Sequence, residues 1–136
     1  MVTISQLLRE KGTKVWAIRP DATIFDALDL MKQKDIGVVL VMDGDALVGL
    51  VAERDCARKV LLPGKNAQDT AVAEVMTSRV LCVSASQSVE ECMGLMTEKH
   101  IRHLPVVGDK DQVIGVVSIG DIGRAIIAQQ EFTIAH

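Results

Sequence analysis

Two short segments carry the residue types best suited to holding a polar ligand. They are Gly49-Leu50-Val51-Ala52-Glu53-Arg54-Asp55 and Gly115-Val116-Val117-Ser118-Ile119-Gly120-Asp121. Each runs from a glycine through apolar residues to a small residue, with an aspartate three positions further on. That order marks a strand giving way to a helix, with the acid in the first helical turn, where the helix dipole favours a carboxylate. Ser118 is a residue type that caps helices. Two roles are open to Asp55 and Asp121. Each can simply cap its helix, or it can accept hydrogen bonds from two vicinal hydroxyls, as the ribose carboxylate of dinucleotide folds does. The strand glycines add a hint of their own, because glycine inside a strand is often found where another backbone or a ligand comes close.

Basic residues supply a second chemistry. Lys14 and Arg79 occupy corresponding positions, each preceded by a hydroxyl, Thr13 or Ser78. Near a helix N-terminus such a pair suits phosphate, and otherwise it is a solvated loop charge. Arg54 and Arg58 flank Asp55 and have the same two options. Other constellations fail. His100 and His103 stand alone, without the further cysteines or histidines of a metal site, so no metal is expected. Gly64-Lys65 lacks the glycine of a phosphate-cradling loop, since Lys59 stands in its place. No nucleophile elbow, zinc-protease motif or proton-transfer pair of acids is present, and the expectation is that the protein is not an enzyme.

Composition narrows the partners. The net charge of −3 comes without a basic run, and only 2% of the 136 residues are aromatic (Trp16, Phe25 and Phe132), which argues against nucleic acid. No apolar stretch approaches the roughly 20 residues of a membrane span, so no membrane association is expected. The first residues lack the pattern of a secretory signal, and a cytoplasmic location follows as an expectation. Cys56, Cys82 and Cys92 are widely spaced and read as reduced, buried thiols.

The elements that must position these residues come from a repeat. Val15 aligns with Val80 at a spacing of 65 residues, and so do Ile24 with Val89, Leu28 with Met93, Met31 with Met96 and Val41 with Val106. One extra residue then shifts the spacing to 66, which pairs Gly49 with Gly115, Asp55 with Asp121 and Arg58 with Arg124. Each copy predicts a short strand, a helix, a hairpin and a second helix. The first helix of each opens on a hydroxyl with an acid three residues later, Thr23 with Asp26 and Ser88 with Glu91. Hairpins are expected at residues 38–51 and 104–117, and second helices at residues 54–62 and 119–130. Lead helices at residues 3–9 and 70–76 precede the copies. The expected division is a first unit at residues 1–62 with its lead helix, a linker at 63–69, a second unit at 70–130 and a tail at 131–136.

The duplicated pattern resembles the cystathionine-β-synthase (CBS) domain, present as a tandem pair. The resemblance covers about residues 3–62 and 70–130. It is carried by Val72-Ala73-Glu74-Val75-Met76, by Met96 and Ile101-Arg102-His103-Leu104-Pro105-Val106-Val107, and by the two Gly…Asp segments. It implies an α/β fold of two βαββα units with pseudo-two-fold symmetry, small sheets packed together and helices outside. It also implies clefts that bind AMP, ADP, ATP, S-adenosylmethionine or NAD-like ligands, and so a regulatory module sensing an adenine nucleotide. Carried over residue by residue, Ser118 and Asp121 become ribose contacts and Asp55 the equivalent in the first half, with Ile119, Gly120, Arg54 and Ala52 beside them in the expected ligand-binding set. Arg102 and His103 match positions that face phosphates. Ser78, Arg79, Val80, Thr13, Lys14, Pro105 and Val38 complete the expected ligand-binding set. The first half departs from the pattern, with Ala52 where Ser or Thr is usual and Leu40 opposite Pro105, which ranks the Asp121 corner above the Asp55 corner.

A homodimer is expected, because Ile4, Leu7, Leu8, Met31, Met96, Ile122, Ile126 and Ile127 promise more aliphatic surface than one small sheet core needs, and CBS pairs often join helix to helix. The alternative is a structural dimerisation module with empty clefts. No motif points to the downstream protein that would read the signal.

Overall fold

The computed structural model describes residues 1–135. Its elements follow the repeat. In chain order they are α1 (Ile4–Lys11), β1 (Ala17–Ile18), α2 (Ile24–Lys34), β2 (Val38–Asp43), β3 (Ala46–Ala52) and α3 (Glu53–Cys56), then α4 (Val72–Val75), β4 (Val83–Ser84), α5 (Val89–Lys99), β5 (His103–Val107), β6 (Val113–Ser118) and α6 (Ile119–Ala135). Past α3 the chain continues as a single π-helical segment, Ala57–Leu61, so the helix expected at 54–62 is a hybrid. Two three-stranded sheets form, β1-β2-β3 and β4-β5-β6. In each, the short first strand pairs parallel to the middle strand, and the hairpin is antiparallel.

The chain forms two compact units, and they are not the sequence repeats. One comprises Val15–Val80, the other Met1–Lys14 together with the chain from Leu81 onward. The lead helix therefore packs on the copy it does not precede, so the compact units cut across the sequence units expected at 1–62 and 70–130. The cause lies in the apolar stripe of α1. Ile4, Leu7 and Leu8 are buried with Val83, Val89, Met96, Leu104, Val117 and Ile122 of the second copy. Backbone hydrogen bonds fix the contact, from Ile4 N–H to Gln87 O (2.9 Å), from Ser5 N–H to Ala85 O (2.8 Å) and from Val89 N–H to Val2 O (3.0 Å). The other unit repeats the device. Val72 N–H donates to Ala22 O (2.8 Å), Ala73 N–H to Pro20 O (3.0 Å) and Ile24 N–H to Thr70 O (2.9 Å). Residues 63–69 do not join the units either. Lys65 N–H bonds to Val60 O and Phe25 N–H to Ala67 O, which ties this stretch into the Val15–Val80 unit.

Capping explains where the long helices start. Asp26 N–H donates to Thr23 Oγ1 at 3.1 Å and Thr23 N–H to Asp26 Oδ2 at 3.3 Å. Glu91 N–H donates likewise to Ser88 Oγ at 3.1 Å, so both copies carry reciprocal boxes. At the other end, α6 runs through Ala135, overturning the tail expected at 131–136. No glycine or proline interrupts residues 124–135 to stop it. His136 lies outside the described residues.

The surface argument for a dimer also needs correcting. Ile4, Leu7, Leu8, Met31, Met96 and Ile122 are core residues, and Ile126 is half-buried. Of the eight named, only Ile127 is well exposed, at 55%.

Candidate functional site

Strand β6 ends where α6 begins, and the turn between them is built by a reciprocal pair. Ser118 N–H donates to Asp121 Oδ2 (2.8 Å), and Asp121 N–H donates to Ser118 Oγ (3.1 Å). This satisfies two groups that a helix start otherwise leaves without partners. Two cations complete the carboxylate's surroundings. Lys11 Nζ, on the last turn of α1, donates to Oδ2 at 2.6 Å and to Val116 O at 2.6 Å. Arg124 Nη2 donates to Oδ1 at 2.7 Å. Burial pushes the Asp121 carboxyl up, but the Lys11 hydrogen bond, the Ser118 N–H, the Lys11 charge and the Ser118 hydroxyl outweigh it. The carboxyl lies below its ordinary value and is ionised at neutral pH.

The sheet brings further expected residues to this corner. His103 lies opposite Ser118 in the β5–β6 ladder, and Pro105, which is buried, opposite Val116. Ile119 N–H donates to Arg102 O at 2.8 Å, so Arg102, His103, Ser118, Ile119 and Asp121 form one cluster with Gly120 in the first helical turn. Thr13 and Lys14 belong to the same unit, in the exposed stretch after α1. Alongside the corner, an open groove of about 770 Å³ runs between α1 and α6, with Lys11, Asp121 and Arg124 at its polar part and Leu7, Ala125 and Phe132 among its apolar lining.

The other unit holds the counterpart. Val38 lies opposite Ala52 in the β2–β3 ladder, and Glu53 N–H donates to Gly37 O at 2.9 Å, matching the Ile119–Arg102 bond. Ala52 sits at the N-cap with φ −103° and ψ 150°, yet it makes no side-chain hydrogen bond there. Arg54 and Asp55 follow in the first turn of α3. Ser78 and Arg79 are exposed, and Val80 half-buried, at the end of this unit.

The strand glycines make room for protein. A Cβ on Gly115 would come within 2.8 Å of Leu8 Cδ2, and one on Gly49 within 2.5 Å of Met76 Sδ and 3.0 Å of Thr77 O. Each glycine thus admits the lead segment of its unit. Lys11 and Arg124 are the residues that sequence reasoning passed over. Arg124 was visible only as the repeat partner of Arg58, and Lys11 lies past the lead helix expected at residues 3–9, which in the structure extends to it. Among the described residues, no cluster of three or more metal-ligating side chains occurs, and no helix is long and apolar enough to cross a membrane.

Comparison with known families gives the same corners a context. The CBS domain matches this chain twice, over residues 4–62 and 72–128. The chain belongs to the CBS-domain family. This CBS pair is similar to a solved Burkholderia ambifaria protein with CBS domains, named as a candidate signal-transduction protein. The two are 44% identical with a TM-score of 0.90, across 95% of this chain and 96% of that one. It is 34% identical to the CBS domain-containing protein YhcV of Bacillus subtilis, over 81% of this chain and 77% of the relative. It is also 36% identical to the mitochondrial CBS domain-containing protein CBSX3 of Arabidopsis thaliana, over 92% of this chain, and spans 65% of that protein's length. CBS pairs are regulatory modules, and stand-alone ones mostly regulate rather than catalyse.

Proposed function

We propose that this CBS pair is a sensor for an adenosine-containing ligand (AMP, ADP, ATP, NAD or S-adenosylmethionine), with the ribose held at the Ser118–Asp121 corner. The observation that carries the reading is the Asp121 carboxylate. It is ionised, fixed at the head of α6 by Ser118, and placed beside an open groove with cations on either side. An ionised carboxylate is acceptor-only, which suits the paired hydroxyls of a ribose. Arg102 and His103, anchored next to it through the β5–β6 ladder, supply polar groups for phosphates. Binding regulates if the ligand favours one arrangement of the protein over another.

The rival is a dimerisation module that takes no ligand. Thermal unfolding with each of the five ligands separates the two. A ligand that binds only the folded state adds about 2.7 kcal/mol at 100 times its dissociation constant. No stabilisation by any of them, together with no nucleotide released on denaturing the purified protein, would favour the rival.

A further inference from the structure

The donors around Asp121 can be counted against its acceptor capacity. A carboxylate oxygen has two lone-pair sites. Oδ2 already accepts from Ser118 N–H (2.8 Å) and Lys11 Nζ (2.6 Å), so both of its sites are taken. Oδ1 accepts from Arg124 Nη2 (2.7 Å) and keeps one site open. A ribose diol that chelates a carboxylate places one hydroxyl on each oxygen, because the spacing of vicinal hydroxyls matches that of the two oxygens. Oδ1 has room for its hydroxyl, and Oδ2 has none. One donor on Oδ2 must leave.

The two donors differ in what their departure costs. The Ser118 amide is backbone, locked in the reciprocal cap with Asp121, and breaking it strands a half-buried N–H and opens the start of α6. Lys11 is a long side chain, 37% exposed, whose ammonium can return to water. Resting on the reading that ribose binds at Asp121, we infer that Lys11 is a built-in competitor for that site. It occupies the position of one ribose hydroxyl on Oδ2 and must be displaced before a ribose can chelate the carboxylate. Because Lys11 also bonds Val116 O from the last turn of α1, its displacement releases the end of that helix from β6, and occupancy of the corner is felt in the lead segment.

Adenosine is the probe, because it carries the ribose without the phosphates that Lys11 would attract. Calorimetry is run on the full chain as wild type, Lys11→Met, Arg124→Gln and Asp121→Asn, with thermal melts confirming that each is folded. Losing a partly exposed ion-pair competitor should tighten adenosine binding by about fivefold in Lys11→Met. Arg124→Gln should show no comparable gain, since Oδ1 already has a site open. Binding to wild type should strengthen as salt screens the ion pair, and this dependence should vanish in Lys11→Met. Unchanged or weaker binding in folded Lys11→Met, with Asp121→Asn still losing affinity, overturns the competitor role and leaves the ribose site standing. A gain confined to Arg124→Gln overturns it too. If Asp121→Asn binds adenosine as wild type does, or if no form binds adenosine or AMP, the ribose assignment itself fails.

Discussion

Ser118 and Asp121 hold each other across the start of α6, amide to carboxylate at 2.8 Å and amide to hydroxyl at 3.1 Å, whereas Ala52 cannot return that bond to the start of α3. The backbone at Ala52 already has extended, cap-compatible angles, φ −103° and ψ 150°. Only the acceptor is missing. Ala52→Ser is therefore expected to stabilise the protein by about 1 kcal/mol. Urea unfolding measures this, and an unchanged midpoint at constant slope would show that the first corner does not close as the second does.

The same asymmetry ranks the two corners for ligand. Asp121→Ala is expected to weaken adenine-nucleotide binding by about tenfold or more, since charge-assisted hydrogen bonds contribute about 1.5–3 kcal/mol. Asp55→Ala is expected to cost less. Calorimetry on both variants checks the order, and an equal or larger loss at Asp55 would reverse it.

Asp121 also sets a pH dependence. Its carboxyl lies below the ordinary value in the folded protein. A depressed folded value means that the carboxylate contributes stability above the unfolded pKa, and that this contribution is lost as pH falls through the folded one. The melting temperature of wild type should therefore exceed that of Asp121→Asn above about pH 4, with the gap closing at lower pH. Melts from pH 2 to pH 7 report it, and a constant gap would mean that the Lys11 and Ser118 contacts do not depend on ionisation.

Much of this was legible in the chain. The repeat, the hairpins and the capping residues Thr23 and Ser88 were readable because each is a local pattern of spacing and side-chain type. The corner residues Ser118 and Asp121 were readable for the same reason. What escaped is what depends on long-range choice. Ile4, Leu7 and Leu8 form an apolar stripe that either of two similar sheets could receive, and nothing local says which. Lys11 reaches Asp121 only because that choice sends α1 to the second copy. The length of α6 was underestimated because its last turns carry exposed apolar residues, Phe132 and Ile134, that no core periodicity demands.

The two strand glycines should differ in tolerance. At Gly115 an added methyl would meet the branched end of Leu8, which can change rotamer. At Gly49 it would meet both Met76 Sδ and the backbone oxygen of Thr77, which accepts from Leu50 N–H (3.0 Å) while Thr77 N–H donates back to Leu50 O (2.9 Å). Overpacking typically costs about 1–3 kcal/mol. Gly49→Ala is expected toward the upper end and Gly115→Ala toward the lower, and chemical denaturation of the pair would show whether the backbone contact decides it.

The last expectation concerns assembly, which we propose to be a dimer through α6. The aliphatic residues first suspected of forming an interface are mostly core, but α6 offers others. Ile127, Phe132 and Ile134 are 55%, 64% and 86% exposed, and Ile127 and Ile134, seven residues apart, share a helix face. Apolar groups gathered on one exposed face favour a partner, and closed two-fold pairing of identical chains is the commonest way to cover them. A self-complementary contact of this kind depends strongly on its central residues, so a charge there should break it. Wild type is expected to sediment at twice the 14.7 kDa chain mass, and Ile127→Asp with Ile134→Asp at the chain mass, with the melting transition of the fold retained. Sedimentation at micromolar concentration decides it. A wild-type mass of one chain, with and without AMP, would remove the dimer, and a dimer that survives both substitutions would place the contact away from α6.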